Sequence, residues 1–413
     1  MSKKVVILCD LFPYTNKESF LETEIKFYNT DVYIFPLNAN IHMPKRNIPN
    51  NVTVFCPTYL SKNIKLIKKT MGYILAVFKK DTIIEMINLI KNNKLKIVTI
   101  KKLLNFVYNG YKNYKWIKKV LLDIGINKND EIVFYSYWMY YHAYSAILLN
   151  IYFQNSKVYS RSHGYDLYEY RHKYNYIPFR DFILNNIDGV FTISNDGENY
   201  LKKRYPNLKE KITVARLGTL DYGFKEYIDK KDFKIVSCSW VVAVKRINII
   251  IDALSLIDDI KITWIHYGDG ELFNEIKQYA EIKLKNKNNI TYIFKGAIPN
   301  NEILKDYFNN DYNLFINVSE SEGIPVSIME ALSFGIPVIA TDVGGTREII
   351  QNNKCGFLLS PNIILYDLIK YIKKIYYMDD IEYNNMRNIC RQLWKENYFA
   401  EYNYKKFINI LLS

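Results

Sequence analysis

The stretch YNLFINVSESEGIPVSIMEALSFGIPVIATDVGGTRE, residues 312–348, decides the reading of the fold. It opens on an apolar run, YNLFINV (312–318), and closes on a second, IPVIAT (336–341), each predicting a buried strand. Between them Gly323 and Pro325 mark the turn into a helix, proline being suited to a first helical position. A helix start around Gly323, Ile324 and Pro325 presents free backbone N–H groups and the positive end of a dipole, a ready place for a phosphate. Glu322 stands in that turn, and Glu330 lies about two helical turns further on. After the second strand come Gly344 and Gly345, where missing side chains let a ligand approach the backbone.

Outward from this unit, short apolar runs alternate with helix-like segments in both directions, the pattern of a parallel sheet with crossover helices. Towards the N-terminus the predicted strands are 5–10, 31–37, 52–57, 131–138, 157–162, 189–194 and 212–218. Leu220–Asp232 is polar and aperiodic and reads as a connection, after which strands recur at 233–240, 261–268, 290–296, 312–318, 336–341 and 356–360. Helices are expected over 363–377 and 380–412. The fold class is therefore α/β, two Rossmann-like domains with ligands at the carboxyl ends of the strands.

The 312–348 segment resembles the E-x7-E signature of retaining glycosyltransferases with the GT-B fold, the large family four of nucleotide-sugar transferases. The match runs from Glu322 through G-x-P, Glu330, G-x-P-V-I-A-T and the glycine pair to Glu348. The resemblance implies that Glu330 binds the ribose hydroxyls of the donor nucleotide and that Glu322 contacts hydroxyls of the donor sugar. It also implies two domains facing each other across a cleft. These would be an acceptor-binding domain over 1–220, a donor-binding domain over 221–390, and a helix over 391–413 returning to the first; the basic helical insert at 58–125 within the first carries no family pattern.

Further matches fall in the same order. SCSWVVAVKRINIIIDAL (237–254) is similar to the family's strand–loop–helix element that holds the donor diphosphate, with Lys245 matching its lysine. Where many members carry a Gly-Arg pair this chain has Ser239 and Trp240, and Arg246 is the candidate to replace the lost charge. The plain reading of Lys245 and Arg246 is a solvated helix start. Gly268 and Gly270 fit the family's G-D-G turn beside the nucleotide, and Gly296–Ala297 the segment whose backbone meets the base. In the first half, KVYSRSHGYDLY (157–168) places His163 after a strand in a pattern similar to the family's active-site histidine. The loop at 12–25 lacks the glycine pair that often cradles the diphosphate. Arg161 is either a compensating charge or a strand-end surface charge.

Composition sets the remaining bounds. Of 413 residues, 49% are hydrophobic and 24% charged, with 16 Gly and 11 Pro, which excludes collagen-like and disordered designs. Five scattered cysteines form no C-x-x-C, so neither a disulfide framework nor a zinc site is expected, and a reducing compartment is. MSKKVVILCD lacks the features of a signal peptide. The uncharged stretch 132–156 is too polar for a membrane span and reads as a strand followed by a helix. The net charge of +14 is concentrated: residues 60–120 hold 15 Lys against Asp81 and Glu85. Lysine without arginine is a poor reader of bases, and no nucleic-acid partner is expected.

The lysines, Lys62, Lys65, Lys68, Lys69, Lys79 and Lys80 among them, lie among apolar stripes. One contains Ile64, Ile67, Met71, Ile74, Leu75 and Phe78, and a later one Leu103, Leu104, Phe106 and Trp116. Either this is a solvated helical face, or the lysines meet an anionic membrane while the apolar side chains insert at headgroup level. The expectation is a cytoplasmic enzyme, peripheral at the inner face of the membrane. It would transfer a hexose or N-acetylhexosamine from a nucleoside diphosphate sugar to a polyprenyl-linked or other saccharide of a capsule, O-antigen or exopolysaccharide. No cofactor and no metal are expected. The alternatives are a nucleotide-sugar epimerase or phosphorylase on this fold, or an inactive partner subunit.

Overall fold

The computed structural model describes residues 3–15, 18–57, 72–73 and 76–413. The chain divides into two compact units, Met1–Arg216 with Tyr404–Ser413, and Leu217–Asn403.

The first unit is built on seven parallel strands. They are β1 (Lys4–Cys9), β2 (Val32–Pro36), β3 (Val52–Val54), β4 (Ile132–Ser136), β5 (Ser156–Ser162), β6 (Gly189–Thr192) and β7 (Ile212–Val214). Their order is β3-β2-β1-β4-β5-β6-β7. Parallel strands covered on both faces are mostly apolar runs, and Val5 to Cys9 are fully buried. Helices α1 (Ser19–Glu24), α2 (Lys80–Lys91), α3 (Ile97–Asp123), α4 (Tyr141–Tyr152), α5 (Arg180–Asn185) and α6 (Asn195–Arg204) connect them. The uncharged stretch at 132–156 is β4 followed by α4, and among the described residues no helix is long and apolar enough to cross a membrane.

The second unit has six parallel strands in the order β10-β9-β8-β11-β12-β13. They are β8 (Phe233–Cys238), β9 (Ile262–Tyr267), β10 (Ile290–Gly296), β11 (Leu314–Asn317), β12 (Val338–Thr341) and β13 (Gly356–Leu359). Helices α7 (Ile247–Ser255), α8 (Phe273–Leu284), α9 (Asn300–Asn309), α10 (Val326–Ser333), α11 (Thr346–Ile349) and α12 (Leu365–Tyr377) follow them in turn. In each sheet the order reverses once, between β1 and β4 and between β8 and β11. At such switch points adjacent loops diverge and leave a crevice beyond the carboxyl ends.

Three expectations need correction. The helix expected over 380–412 is two, α13 (Asp380–Asn397) and α14 (Ala400–Leu412). Between them Tyr398 accepts the Thr219 amide at 2.9 Å and the Ala400 amide donates to Thr219 at 3.1 Å, so a bridge to a distant residue replaces a helical turn. Leu220–Asp232 is irregular, yet its 225–230 stretch is bound to its own unit. Arg387 donates to the carbonyls of Lys225 and Glu226, Lys225 pairs with Asp311 at 2.6 Å, and Lys230 donates to the carbonyls of Tyr376 and Met378. Arg161 is neither a phosphate contact nor a surface charge. It is fully buried and paired with the equally buried Glu24 at 3.1 Å. Phe407 of α14 lies 4.2 Å from its guanidinium and packs on Tyr135 and Phe191. Removing one partner of such a pair costs about 3–5 kcal/mol.

The basic insert divides as well. Lys62, Lys65, Lys68 and Lys69, with Ile64, Ile67, Met71, Ile74 and Leu75, lie outside the described residues. In α3, Leu103 and Phe106 are buried against α4 and the sheet, Leu104 packs on the same core, and Trp116 meets Phe35 edge-on at 5.3 Å. Those four side chains are therefore not available for headgroups; burying each apolar one contributes about 1.5–3 kcal/mol to the fold. A different set faces outward: Phe78, then Ile83, Ile84, Ile87 and Ile90 along one side of α2, and Ile97 at 85% exposure.

Candidate active site

The loops that leave β8 and β11 meet at the switch point of the second unit. The β8 loop tightens into a short turn over Ala243–Lys245, and Arg246 then takes a left-handed conformation (φ 50°) to start α7. This places the Lys245 ammonium 2.6 Å from a carboxylate oxygen of Glu322, in the β11 loop. Asn317, at the end of β11, donates to the same oxygen at 3.3 Å. The two loops are fastened by the Glu320 amide on the Val244 carbonyl at 2.8 Å. Arg246 has other partners: its guanidinium donates to the carbonyls of Val318, Ser319 and Pro361 at 2.8, 3.0 and 3.0 Å. It therefore straps the β11 loop in place, and Lys245 is the cation of this pair beside the carboxylate.

Gly323, Ile324 and Pro325 lead from Glu322 into α10, whose start no side chain caps. Gly344 is left-handed (φ +54°), and a Cβ there would lie 2.1 Å from the Glu322 carbonyl. The Gly345 amide donates to the Gly323 carbonyl at 2.8 Å. The glycine pair thus lets its own chain come close, and by that contact sets the Glu322 loop. Gly268 does the same for the β8 loop, since a Cβ there would meet the Ser239 carbonyl at 1.8 Å. Its amide donates to the Gly296 carbonyl at 2.9 Å; a Cβ at Gly270 would meet the Val241 carbonyl at 2.5 Å, and the Gly270 carbonyl accepts the Phe273 amide at 3.1 Å. Ala297, next after β10, is exposed.

Glu330 sits on α10 and is buried, accepting a hydrogen bond from the Asn300 side chain at 2.8 Å. Burial pushes its carboxyl up to about 7, and the Asn300 bond opposes that rise. The buried carboxyl also helps hold the Cys238 thiol, raised mainly by its own burial, at about 12.

In the first unit His163 follows β5. Its ring lies between Tyr137 and Trp138, with centroids 4.9 and 4.5 Å away. Asp166 accepts the His163 amide and the Met139 amide, each at 2.7 Å, and stands 3.7 Å from the ring nitrogen Nδ1. Burial works to raise the Asp166 carboxyl. The bonds and charge of His163 and the Met139 amide outweigh it and hold the group below the usual carboxylate range. Among the described residues neither ring nitrogen of His163 reaches a partner at hydrogen-bond distance, Asp166 standing just beyond it. An imidazole backed by a carboxylate and offering an unused Nε2 can donate to, or accept from, a substrate hydroxyl.

Sequence reasoning overlooked several of these groups. Asp166 could have been found, three residues after His163 in H-G-Y-D. Asn300 and Asn317 carry no signal beyond their place near strand ends, and the contribution of Trp138 depends on a neighbour from another strand. Among the described residues no group of three or more His, Cys, Asp or Glu is placed to hold a metal ion.

The architecture defines the class first: two parallel sheets of these strand orders, with charged loops at the switch points, are the GT-B fold. A solved structure with this fold, Anabaena Alr3699/HepE in complex with UDP and glucose, superposes with a TM-score of 0.65 over 99% of each chain at 14% identity. Residues 221–392, within the second unit, match the family described as Glycosyl transferases group 1. The chain is 26% identical over 250 residues to the UDP-N-acetylglucosamine--peptide N-acetylglucosaminyltransferase GtfA subunit of Streptococcus agalactiae, covering 56% of this chain and 45% of that one. It is 32% identical over 126 residues to the UDP-Gal:alpha-D-GlcNAc-diphosphoundecaprenol alpha-1,3-galactosyltransferase of Escherichia coli, 30% of each chain. The chain thus spans less than half the length of these two relatives.

Proposed function

We propose that the protein is a retaining glycosyltransferase that moves a hexosyl or N-acetylhexosaminyl group from a nucleoside diphosphate sugar to a hydroxyl of a lipid-linked saccharide. The observation that carries this reading is the Lys245–Glu322 pair at the β8/β11 switch point, with the buried Glu330 one helix turn and more behind it. Glu330 would accept the ribose hydroxyls and Glu322 the hydroxyls of the donor sugar. Lys245, released from Glu322 towards the diphosphate, would neutralise charge as the bond from the anomeric carbon to phosphate oxygen breaks. The new bond forms from the acceptor oxygen on the same face, and the acceptor's proton passes to the departing phosphate oxygen. His163 would hold a sugar hydroxyl, with Asp166 behind it to stabilise positive charge on the imidazole.

The test is a thermal-shift panel of UDP-, GDP- and dTDP-sugars, followed by transfer assays with the donor that binds. At about 100 times its dissociation constant a true donor stabilises the fold by about 2.7 kcal/mol. Since protein cations meet the diphosphate in this reading, transfer is expected to continue in excess EDTA. Activity abolished by EDTA and restored by magnesium or manganese would contradict the assigned role of Lys245.

The proposed acceptor brings the enzyme to an anionic membrane surface, supported by the outward row Ile83, Ile84, Ile87 and Ile90 on α2 beside Lys79, Lys80 and Lys91. A lysine near such a surface is worth roughly 1 kcal/mol, and the inserted isoleucines would leave part of the binding insensitive to salt. Co-sedimentation should favour phosphatidylglycerol-containing vesicles over neutral ones. Changing Lys62, Lys65, Lys68, Lys69, Lys79 and Lys80 to Gln should remove that preference, and changing the four isoleucines to Ser should remove the salt-resistant part. Equal binding to both vesicle types, or indifference to both sets of changes, would end the membrane reading.

A further inference from the structure

The loop that leaves β1 turns three successive backbone amides towards one carboxylate. Asp10 donates to one oxygen of Glu18 at 2.9 Å, and Leu11 and Phe12 donate to the other at 2.7 Å each. A fourth donor comes from beyond β4: the Trp138 indole N–H meets the first oxygen at 2.6 Å. Consecutive amides arranged this way form an anion-binding concavity, and here its occupant is supplied by the chain itself. Glu18 reaches the concavity from a left-handed backbone (φ 54°, ψ 43°), a conformation that costs a non-glycine residue of order 1 kcal/mol or more. The four charge-assisted bonds outweigh that cost.

The socket lies at the switch point of the first unit, since β1 and β4 are the neighbours at which strand order reverses. Trp138 is the link onward. Its indole N–H is held by Glu18 while its ring lies 4.5 Å from that of His163. The other face of the contact is closed by Tyr137, and Asp166 fixes the histidine's backbone. Among the described residues neither nitrogen of the imidazole reaches a partner at hydrogen-bond distance, and its orientation depends on this aromatic wall and on Asp166 at 3.7 Å. A wall free to rotate about the tryptophan side chain would not hold Nε2 in one place.

We propose that Glu18 is a positioning residue for sugar transfer: its carboxylate locks the Asp10–Phe12 loop and Trp138 together, and through Trp138 sets the ring of His163. The proposal rests on His163 acting in the transfer. It also means that the amides of residues 10–12 are already committed to a carboxylate, and they are not donors to the diphosphate while Glu18 is in place.

Two substitutions separate positioning from bulk stability. Glu18→Gly suits the left-handed backbone, so the fold is retained while the carboxylate is lost. Glu18→Gln keeps the shape but sets its NH2 against donors whichever way the amide is turned, because each oxygen of Glu18 accepts two bonds. Both variants should lose about 10- to 150-fold in kcat, the worth of a hydrogen bond to a charged group, with donor affinity changed less than about threefold. Millimolar formate should restore turnover to Glu18→Gly, whose socket is vacated, and not to Glu18→Gln, whose socket is filled. The indole N–H resonance of Trp138, followed by NMR, should move in both variants and return towards its original position in Glu18→Gly with formate. Trp138→Phe, which keeps a ring but loses the N–H, should be no worse when combined with Glu18→Gln.

Full kcat in Glu18→Gln, or a kcat loss in Glu18→Gly that formate does not reverse while the Trp138 resonance stays still, overturns the proposal. His163→Ala distinguishes the underlying reading: if that variant transfers sugar at full rate, the transfer role of His163 is wrong, and positioning through it fails with it even where the indole resonance responds as expected.

Discussion

Replacing Lys245 by methionine is expected to lower kcat for sugar transfer by about 100- to 1000-fold, the loss seen when one preorganised stabiliser of developing charge is removed. Methionine keeps an unbranched apolar stem and discards only the ammonium, so the turn over Ala243–Lys245 and the Arg246 strap should survive. In the free protein the ammonium neutralises Glu322 at 2.6 Å. In the donor complex the same charge would serve the diphosphate, so its effect belongs to the transition state more than to the ground state. Single-turnover transfer with the donor found in the panel measures this directly. A Lys245→Met, Glu322→Gln double variant then separates two explanations. If Lys245 matters only as a partner for Glu322, the double variant equals Glu322→Gln alone; if it meets the diphosphate, the double variant is slower by at least about tenfold. A single variant within about threefold of the original enzyme would take Lys245 out of the chemistry.

The second large effect concerns Glu330 and pH. Burial holds its carboxyl up to about 7, against an ordinary value of 4.5. The folded protein therefore keeps a proton that the unfolded chain has released. The stability tied to this group is complete below about 4.5 and lost as pH rises through about 7. Ribose hydroxyls are donors and bind best to the ionised form, so donor affinity should rise with pH across the same window, and binding below neutrality should release a proton. Calorimetry with a nucleoside diphosphate sugar, whose phosphates stay ionised throughout, gives both quantities. Glu330→Gln resembles the protonated carboxyl: it should come within about fivefold of the original protein near pH 5.5 and fall behind by about 10- to 150-fold near pH 8. An affinity independent of pH in the original protein, or a Gln variant equal to it at pH 8, would remove Glu330 from the ribose.

Much of this was legible in the residues because parallel strands covered on both faces read mostly as near-continuous apolar runs. Each of the thirteen predicted runs contains a strand of the structure, displaced only at its ends. The Glu322–Glu330 spacing was equally visible, since a short loop and the helix that follows it directly carry the two residues. What escaped the reading depends on partners far away in the chain. The break at Tyr398 exists because Thr219 bridges there. The burial of Leu103 and Phe106 comes from α4, and an apolar stripe by itself does not say whether it faces a core or a membrane. Arg161 looked like a strand-end charge because Glu24 lies in another element. The Glu18 socket has no pattern at all, since backbone amides carry no side-chain identity and the loop at 12–25 lacks the glycines that would have drawn notice.

The shared ownership of α14 has a consequence for biosynthesis. The helix begins in the second unit at Ala400, while Tyr404–Ser413 belong to the first. Phe407 covers the buried Arg161–Glu24 pair, yet it is made long after the strands that flank that pair. At 5–20 residues per second the ribosome takes roughly 10–40 s to travel from Arg216 to that segment. During that interval the nascent first unit holds an ion pair and the aromatic faces of Tyr135 and Phe191 without their cover. The unit that is translated first is thus finished last, and chaperones that shield apolar surface have a defined window and a defined face on which to act.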